Sequence, residues 1–599
     1  MSARRRLLRW ASWFAVGNSA LLAVVGLRYL WHYSAVGSST VGWAYAILAY
    51  AGHLTALAYV PLLVLLVPVV ALIPRPRVVL PLGVLLASMG LSFLLLDSLI
   101  FAENRYHLSV VTFTLLEPQT YAFLALYFLL GMAIEAMLAV WMWRRSARPP
   151  TRRIGRYLAL GLGGCFVASH LIHAWAEAHY YVPVTAFTRY LPLYYPLRDT
   201  RLQLRLGLLD RAQAREHGLV TALSQLPGGE LNYPLAPLRC VPPGPMLNVL
   251  LVVIDAMRAD ALAPEVAPRL AALAKGAIQF DRHYSGGNSS RAGMFSLFYG
   301  LPGTYWDAVA GVGQPPVLMD MFRQYGYQLA LFVSGAVYHG VGLDRTALAR
   351  VPNLRLRTRS LYPGHSGKDR TLTDEWQDWL GQRDSSRPFL GFLYYNAAVA
   401  IEPPDDYPPV ITVPAGAPAQ ARQYARYLTA VHYVDSLFGR VLDDLERQNL
   451  LDRTVIIVTS DHGMEFDERG LGFKGHGTAF SDHQMHTPLV VRWPGRPPGR
   501  VTRRTSHNDI APTLLTGLFG CTNPPSDYSS GHDLFSDTQW DWLIAASYSN
   551  FALIEPEQVT IVHPAGYEIR DRHYRLIRSP MLPRDSLRAA MREMGRFYR

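Results

Sequence analysis

A chain of 599 residues is too long for one ordinary domain. With half its residues hydrophobic, 17% charged and a mean hydropathy of +0.10, it is too apolar for a wholly soluble protein and too polar for a membrane bundle alone. Three cysteines exclude a disulfide-framed scaffold and a four-thiolate zinc site, and the net charge of +12 asks for nucleic acid or a membrane surface as counterpart.

The positions of the arginines decide that last choice. Met1–Arg6 is a basic start, and an apolar run from Trp10 to Trp31 follows, longer than the core of a cleaved signal peptide. Further apolar stretches at residues 43–73, 78–101, 121–143 and 156–176 each reach the roughly 20 residues a helix needs to cross a bilayer. A five-helix transmembrane domain over residues 1–176 is expected. Arg4, Arg5, Arg6 and Arg9 precede the first span, Arg75 and Arg77 separate the second and third, and Arg144, Arg145, Arg148, Arg152, Arg153 and Arg156 separate the fourth and fifth. The other two connections carry only Arg105. Arginine-rich loops stay cytoplasmic, which predicts a bacterial inner-membrane protein with its N-terminus in the cytoplasm and its C-terminal part in the periplasm. Topology then accounts for the charge, and nucleic acid is excluded as a partner. His53, Asp97, Glu135, His170 and His173 lie within the spans. Such residues form a lipid- or proton-related site, or reach the interface from the span ends, as expected here for Asp97, His170 and His173.

Residues 177–245 read as a linker. Tyr180, Tyr181, Phe187, Tyr190, Tyr194 and Tyr195 are followed by Arg198, Arg201, Arg205, Arg211 and Arg215 at helix-like spacings. Rings settle at headgroup level and guanidinium groups pair with phosphates there. Tyr194, Tyr195, Arg198, Arg201 and Arg205 are therefore candidate contacts to anionic phospholipid or lipopolysaccharide; a plain amphipathic helix is the alternative. The Pro/Gly-rich stretch Leu226–Pro245 closes the linker. Cys165 sits in an apolar stretch, so Cys240 and Cys521 are the only pair able to bridge, and a bridge and two thiols both stay open.

Residues 246–599 alternate apolar strands with amphipathic helices, the pattern of a parallel α/β sheet. Strands are predicted at Asn248–Ile254, Gln328–Val333, Pro388–Tyr395, Thr454–Thr459 and Pro488–Trp493. Helices are predicted at Ala267–Lys275, Arg291–Leu297, Pro316–Tyr325, Gln423–Gln448 and Asp509–Leu518, with a basic helical tail at the end. Two strands of buried type end in acids: Asn248–Ile254 runs into Asp255, and Thr454–Thr459 runs into Ser460-Asp461-His462-Gly463. Ligands bind at the carboxyl ends of parallel strands, so Asp255, Asp461 and His462 form a candidate site for one divalent metal, zinc or manganese by donor type, with magnesium or calcium as alternatives. Ser289 and Ser290 stand before a helix, where a hydroxyl is a structural cap or a nucleophile. Lys474 and His476 lie in a glycine loop and can hold ester oxygens or protonate a leaving group. His483 and His486 are expected at the surface.

Together these motifs, with Thr487-Pro488-Leu489-Val490-Val491, Ser506-His507-Asn508-Asp509 and Val434-Asp435-Ser436, resemble the sulfatase branch of the alkaline phosphatase superfamily. Five N-terminal spans followed by His283-Tyr284-Ser285-Gly286-Gly287-Asn288 and Leu297-Phe298-Tyr299-Gly300-Leu301-Pro302-Gly303 look more narrowly like the YejM/PbgA family of inner-membrane proteins. The resemblance implies a sulfatase-like α/β domain with a metal held by Asp255, Asp461, His462 and the hydroxyl of Ser290, with Ser289 close behind. It implies His476 and Lys474 as substrate contacts. It also implies a role in envelope lipid homeostasis involving lipopolysaccharide or cardiolipin, with an inner-membrane regulatory protein as partner. The chain departs from the family pattern in three ways. No Cys/Ser-x-Pro-x-Arg motif is present, so formylglycine chemistry is not expected and the hydroxyl resembles the headgroup-transferase branch. Asp255 is followed by Ala256 rather than a second acid. The strand at 388–395 ends in Asn396-Ala397 with no histidine. Two functions follow: a metal-dependent phospho- or sulfo-ester hydrolase or headgroup transferase, or an inactive lipid-sensing regulator built on the same fold.

Overall fold

The computed structural model describes residues 2–31, 40–104, 107–108, 118–147, 154–179, 181–197, 203, 206, 231–337, 341–548, 550–563, 566–578 and 581–598. The chain divides into two compact units, Met1–Asn232 with Tyr598–Arg599, and Tyr233–Phe597.

Among the described residues of the first unit, five helices are long and apolar enough to cross a membrane, over Ala3–Trp31, Thr40–Leu72, Pro76–Ala102, Phe123–Ser146 and Ile154–Ala178. The ionisable groups within the spans each meet another protein group. Asp97 accepts from the Tyr29 hydroxyl at 2.5 Å and lies 2.8 Å from His107 Nδ1. Glu135 accepts from Asn18 at 3.1 Å. His53 contacts the Pro192 carbonyl at 2.7 Å, His170 accepts from Leu197 N at 3.1 Å, and His173 contacts the Leu197 carbonyl at 3.0 Å. A polar group out of reach of water needs another protein group as its partner, and each of these side chains has one. Tyr194 follows suit: it is buried, its hydroxyl 3.1 Å from that of Tyr45 and its ring edge-on to His53. It anchors the juxtamembrane segment instead of facing headgroups. Tyr195 is 78% exposed. Arg198, Arg201 and Arg205 lie outside the described residues.

The second unit is built on a seven-stranded sheet. Its strands are β1 (Asn248–Ile254), β2 (Ile278–Tyr284), β3 (Gln328–Val333), β4 (Phe389–Tyr395), β5 (Thr454–Thr459), β8 (Leu489–Arg492) and β9 (Gly499–Ser506), in the order β3-β4-β1-β5-β8-β2-β9. β6 (Glu465–Phe466) and β7 (Lys474–Gly475) form a separate hairpin. β1, β4 and β5 are buried at every position, as their continuous apolar sequences require. β1 pairs in parallel with both β4 and β5, Val253 opposite Tyr394 and Thr459. Adjacent strands lie about 4.8 Å apart, so the residues that follow β1 and β5 emerge side by side on one rim. The pairings β5–β8 and β2–β8 are antiparallel, which makes the sheet mainly rather than wholly parallel.

Residues 233–245, assigned to the linker by composition, pack with this unit. Tyr233 is buried, Leu235 N donates to the Asp527 carbonyl at 2.8 Å, and Cys240 forms a disulfide with Cys521. A second, antiparallel sheet of β10 (Leu543–Ala546), β11 (Phe551–Ile554), β12 (Gln558–His563) and β13 (Gly566–Asp571) follows. Its first strand ends at the rim: Ala546 N donates to the Gly286 carbonyl at 2.9 Å, and the Ala546 carbonyl accepts from Asn288 N at 3.3 Å.

Candidate metal centre

Asp255 leaves β1 and Asp461 leaves β5, so parallel pairing alone brings the two carboxylates together. The turn after Asp255 is tight: Ala256 takes a left-handed conformation at φ 62°, and its N–H donates to Asp461 Oδ1 at 3.2 Å. His462 N donates to the same oxygen at 3.0 Å. Both acids and His462 are almost wholly buried.

The orientation of His462 decides what the cluster can hold. Its Nδ1 lies 2.9 Å from the Gly463 carbonyl, which only accepts, so Nδ1 carries the proton and Nε2 presents a lone pair. That Nε2 is 3.5 Å from Asp255 Oδ1, 3.6 Å from Asp461 Oδ2 and 3.1 Å from Ser290 Oγ. Asp255 Oδ1 is buried with no hydrogen-bond partner. Burial, followed by the adjacent Asp461, pushes the Asp255 carboxyl well above the ordinary carboxylate range. Two buried carboxylate oxygens and an imidazole lone pair converging on one point form a donor set for a divalent cation. The residues fit.

Ser290 opens the helix Ser290–Tyr299, and the partial positive charge of that helix end favours negative charge on its hydroxyl. Ser289 holds the N-cap position but makes no capping bond; its Oγ is buried without a partner. Ser290, not Ser289, touches His462. Among the other predicted residues, the ring of His476 stacks on His462 with centroids 4.6 Å apart. Burial, then the His462 imidazole, pulls His476 down to about 4, so it is a neutral N–H donor at neutral pH. Lys474 lies on β7 with its side chain exposed. His483 sits 3.3 Å from Glu465, and His486 contacts the Asp281 carbonyl at 2.9 Å; neither joins the centre. Glu465, Glu468 and His483 are themselves close enough to share an ion, but Arg258 already pairs with Glu468 and Ser481 donates to Glu465.

The Asp435 and Asp509 motifs are structural. Asp435 accepts from Arg269 N and Leu270 N at the start of the helix Pro268–Lys275, each at 2.8 Å. Asp509 accepts from Ser506 N and His532 N, also each at 2.8 Å. One residue escaped sequence reasoning. Tyr394 of β4 donates to Asp255 Oδ2 at 2.6 Å and reaches Asp461 Oδ2 at 2.9 Å. In sequence it looks like any buried strand aromatic; its place next to β1 in the sheet order is what marks it.

Comparison with known proteins agrees with this architecture. A family model described as a domain of unknown function, DUF3413, matches residues 1–240, and one described as Sulfatase matches residues 247–520. The inner membrane protein YejM of Salmonella typhimurium is 30% identical over 584 residues, covering 95% of this chain and 93% of that protein. The chain belongs to the YejM family. An uncharacterized Haemophilus influenzae relative of this YejM-type chain is 27% identical and covers 95% of it and 92% of that protein. A phosphonate monoester hydrolase from Silicibacter pomeroyi overlays 58% of the chain and 96% of its own, with a TM-score of 0.45 and 19% identity. Membership in the YejM family and a sulfatase-like second unit both accord with the motifs read from the sequence.

Proposed function

We propose that the chain is an inner-membrane metalloenzyme of envelope lipid homeostasis, hydrolysing a phosphate or sulfate ester or transferring a phospholipid headgroup. The observation that carries this reading is the contact of Ser290 Oγ with His462 Nε2 beside two buried carboxylates. Asp255, Asp461, His462 and Ser290 would hold the cation, zinc or manganese by donor type. A divalent cation bound there supplies Lewis-acid stabilisation of the serine alkoxide and of the ester oxygens. Ser290 attacks the phosphorus or sulfur atom and displaces the alcohol, leaving a phospho- or sulfo-ester on its oxygen; water, or an acceptor alcohol in a transferase, then takes the phosphoryl or sulfuryl group and restores the hydroxyl. The helix N-terminus stabilises charge on Ser290, and neutral His476 donates its N–H to a substrate oxygen. The sulfatase-like unit works in the periplasm, a placement supported by the arginine distribution and by a disulfide of the kind that persists in oxidising compartments. Anionic phospholipid or lipopolysaccharide is the lipid partner, met through the juxtamembrane arginines, and an inner-membrane protein relays the regulation.

One observation favours a second reading, a lipid-sensing regulator without turnover. β4 is followed by Asn396, whose amide points back to Asp255 at 3.2 Å, where a histidine would otherwise face substrate. Purified full-length protein assayed on aryl phosphates, aryl sulfates and phospholipids separates the two. Metal-dependent turnover lost in Ser290→Ala supports the enzyme. No turnover, with envelope function lost only when Arg198, Arg201 and Arg205 are replaced, supports the regulator.

A further inference from the structure

The two carboxylates of the candidate centre are not free to choose how they ligate. Asp255 Oδ2 accepts from Tyr394 at 2.6 Å and from Asn396 Nδ2 at 3.2 Å. Asp461 Oδ1 accepts from the backbone N–H groups of Ala256 and His462. Each acid therefore has one oxygen left, Asp255 Oδ1 and Asp461 Oδ2. The second of these is also 2.9 Å from the Tyr394 hydroxyl.

A phenol has one hydrogen and donates to one acceptor at a time. Once Asp461 Oδ2 gives its lone pair to a cation, the Tyr394 hydrogen is left for Asp255 Oδ2 and shuts that oxygen out of coordination. What remains is two single carboxylate oxygens, one imidazole nitrogen and one serine oxygen. Zinc takes such four-atom sets with nitrogen included, whereas calcium takes six to eight oxygens and relies on bidentate carboxylates. Resting on the metal-centre reading above, we propose that Tyr394 is the residue that sets cation choice: it holds Asp255 monodentate and biases the centre toward Zn2+ and against Ca2+.

The neighbouring residue provides a control. Tyr395 is equally buried on the same strand, but its hydroxyl meets Thr373 at 3.1 Å, away from the acids. Full-length protein in detergent, stripped with chelator, is titrated calorimetrically with Zn2+ and with Ca2+ as wild type, Tyr394→Phe and Tyr395→Phe. Tyr394→Phe is expected to weaken Zn2+ about 10–100-fold, the usual effect of losing a hydrogen bond that orients a metal ligand. Its Ca2+ affinity should hold or rise, so the Zn2+/Ca2+ preference falls, while Tyr395→Phe keeps the wild-type preference. An unchanged preference in Tyr394→Phe, or an equal fall in Tyr395→Phe, overturns the proposal. Should Tyr394→Phe fail to fold by circular dichroism, Asn396→Ala, which removes the other donor to Asp255 Oδ2, must lower the same ratio; an unchanged ratio there overturns it too. Wild type that binds neither ion overturns the proposal, and wild type that also fails to bind Mn2+ overturns the metal centre on which it rests.

Discussion

A β-carbon on Gly293 would lie 1.9 Å from the carbonyl oxygen of Asp461. The helix that carries Ser290 is thus pressed onto the strand end that carries Asp461 and His462, and the Ser285 hydroxyl donates to the same carbonyl at 2.5 Å. This close approach holds the helix start that carries Ser290 beside His462. Gly293→Ala must drive the two apart. Overpacking of this kind costs about 1–3 kcal/mol, so a lower melting temperature with metal binding and turnover lost is expected. Wild-type metal affinity in the variant would refute the role given to this contact.

The two adjacent serines should separate cleanly. Ser289 Oγ is buried without a partner, so Ser289→Ala removes an unsatisfied hydroxyl and leaves stability unchanged or raised by about 1 kcal/mol, with turnover retained. Ser290→Ala should cut turnover at least about 1000-fold while the protein stays folded. Parallel kinetics and thermal unfolding on both variants check this; the reverse assignment would follow if Ser289→Ala were the dead one.

Acid should weaken the second unit through its buried histidines. His476, held down to about 4, is neutral in the folded protein where the unfolded chain, with the ordinary value of 6.5, is charging. Between those values the unfolded state binds more protons, so this contribution to stability shrinks as pH falls. His507, also held to about 4 by burial, acts in the same sense, whereas Asp369 and Asp509, pushed up to about 6 by burial, act in the opposite one. A difference measurement isolates one group. In chelator, the melting temperature of wild type minus that of His476→Gln should fall steadily from pH 7 toward pH 4. A difference that stays constant or rises would contradict the assignment.

The Cys240–Cys521 bridge ties residues 233–245 to the end of the helix Ile510–Phe519 across 281 positions of sequence. Closing so long a loop restricts the unfolded chain, and its removal costs about 2–5 kcal/mol. A Cys240→Ala/Cys521→Ala protein should melt at a lower temperature than wild type, and reductant should lower wild type to match. Equal melting with and without reductant would show that the bridge contributes nothing.

Much of this architecture was legible because its signals are local. Continuous apolar runs marked β1, β3 and β5 to the residue, and longer ones marked the five spans. β2 (IQFDRHY) and β9 (GRVTRRTS) escaped notice because they are polar and only partly buried, without an apolar run to announce them. Pro488–Trp493 was expected, but not its antiparallel pairing, since direction depends on a connection rather than on the strand itself. At the site, Asp255, Asp461, His462 and Ser290 each end or begin an element and could be found by that position. Tyr394 lies inside its strand, and only the pairing of β4 with β1 turns its hydroxyl toward the acids.

The most direct test of the account is elemental analysis of the purified full-length protein beside Asp461→Ala and His462→Ala. Near-stoichiometric zinc or manganese in wild type, lost in both variants, is the predicted result. Wild type that carries no divalent metal, even after supplementation with each ion, would contradict it.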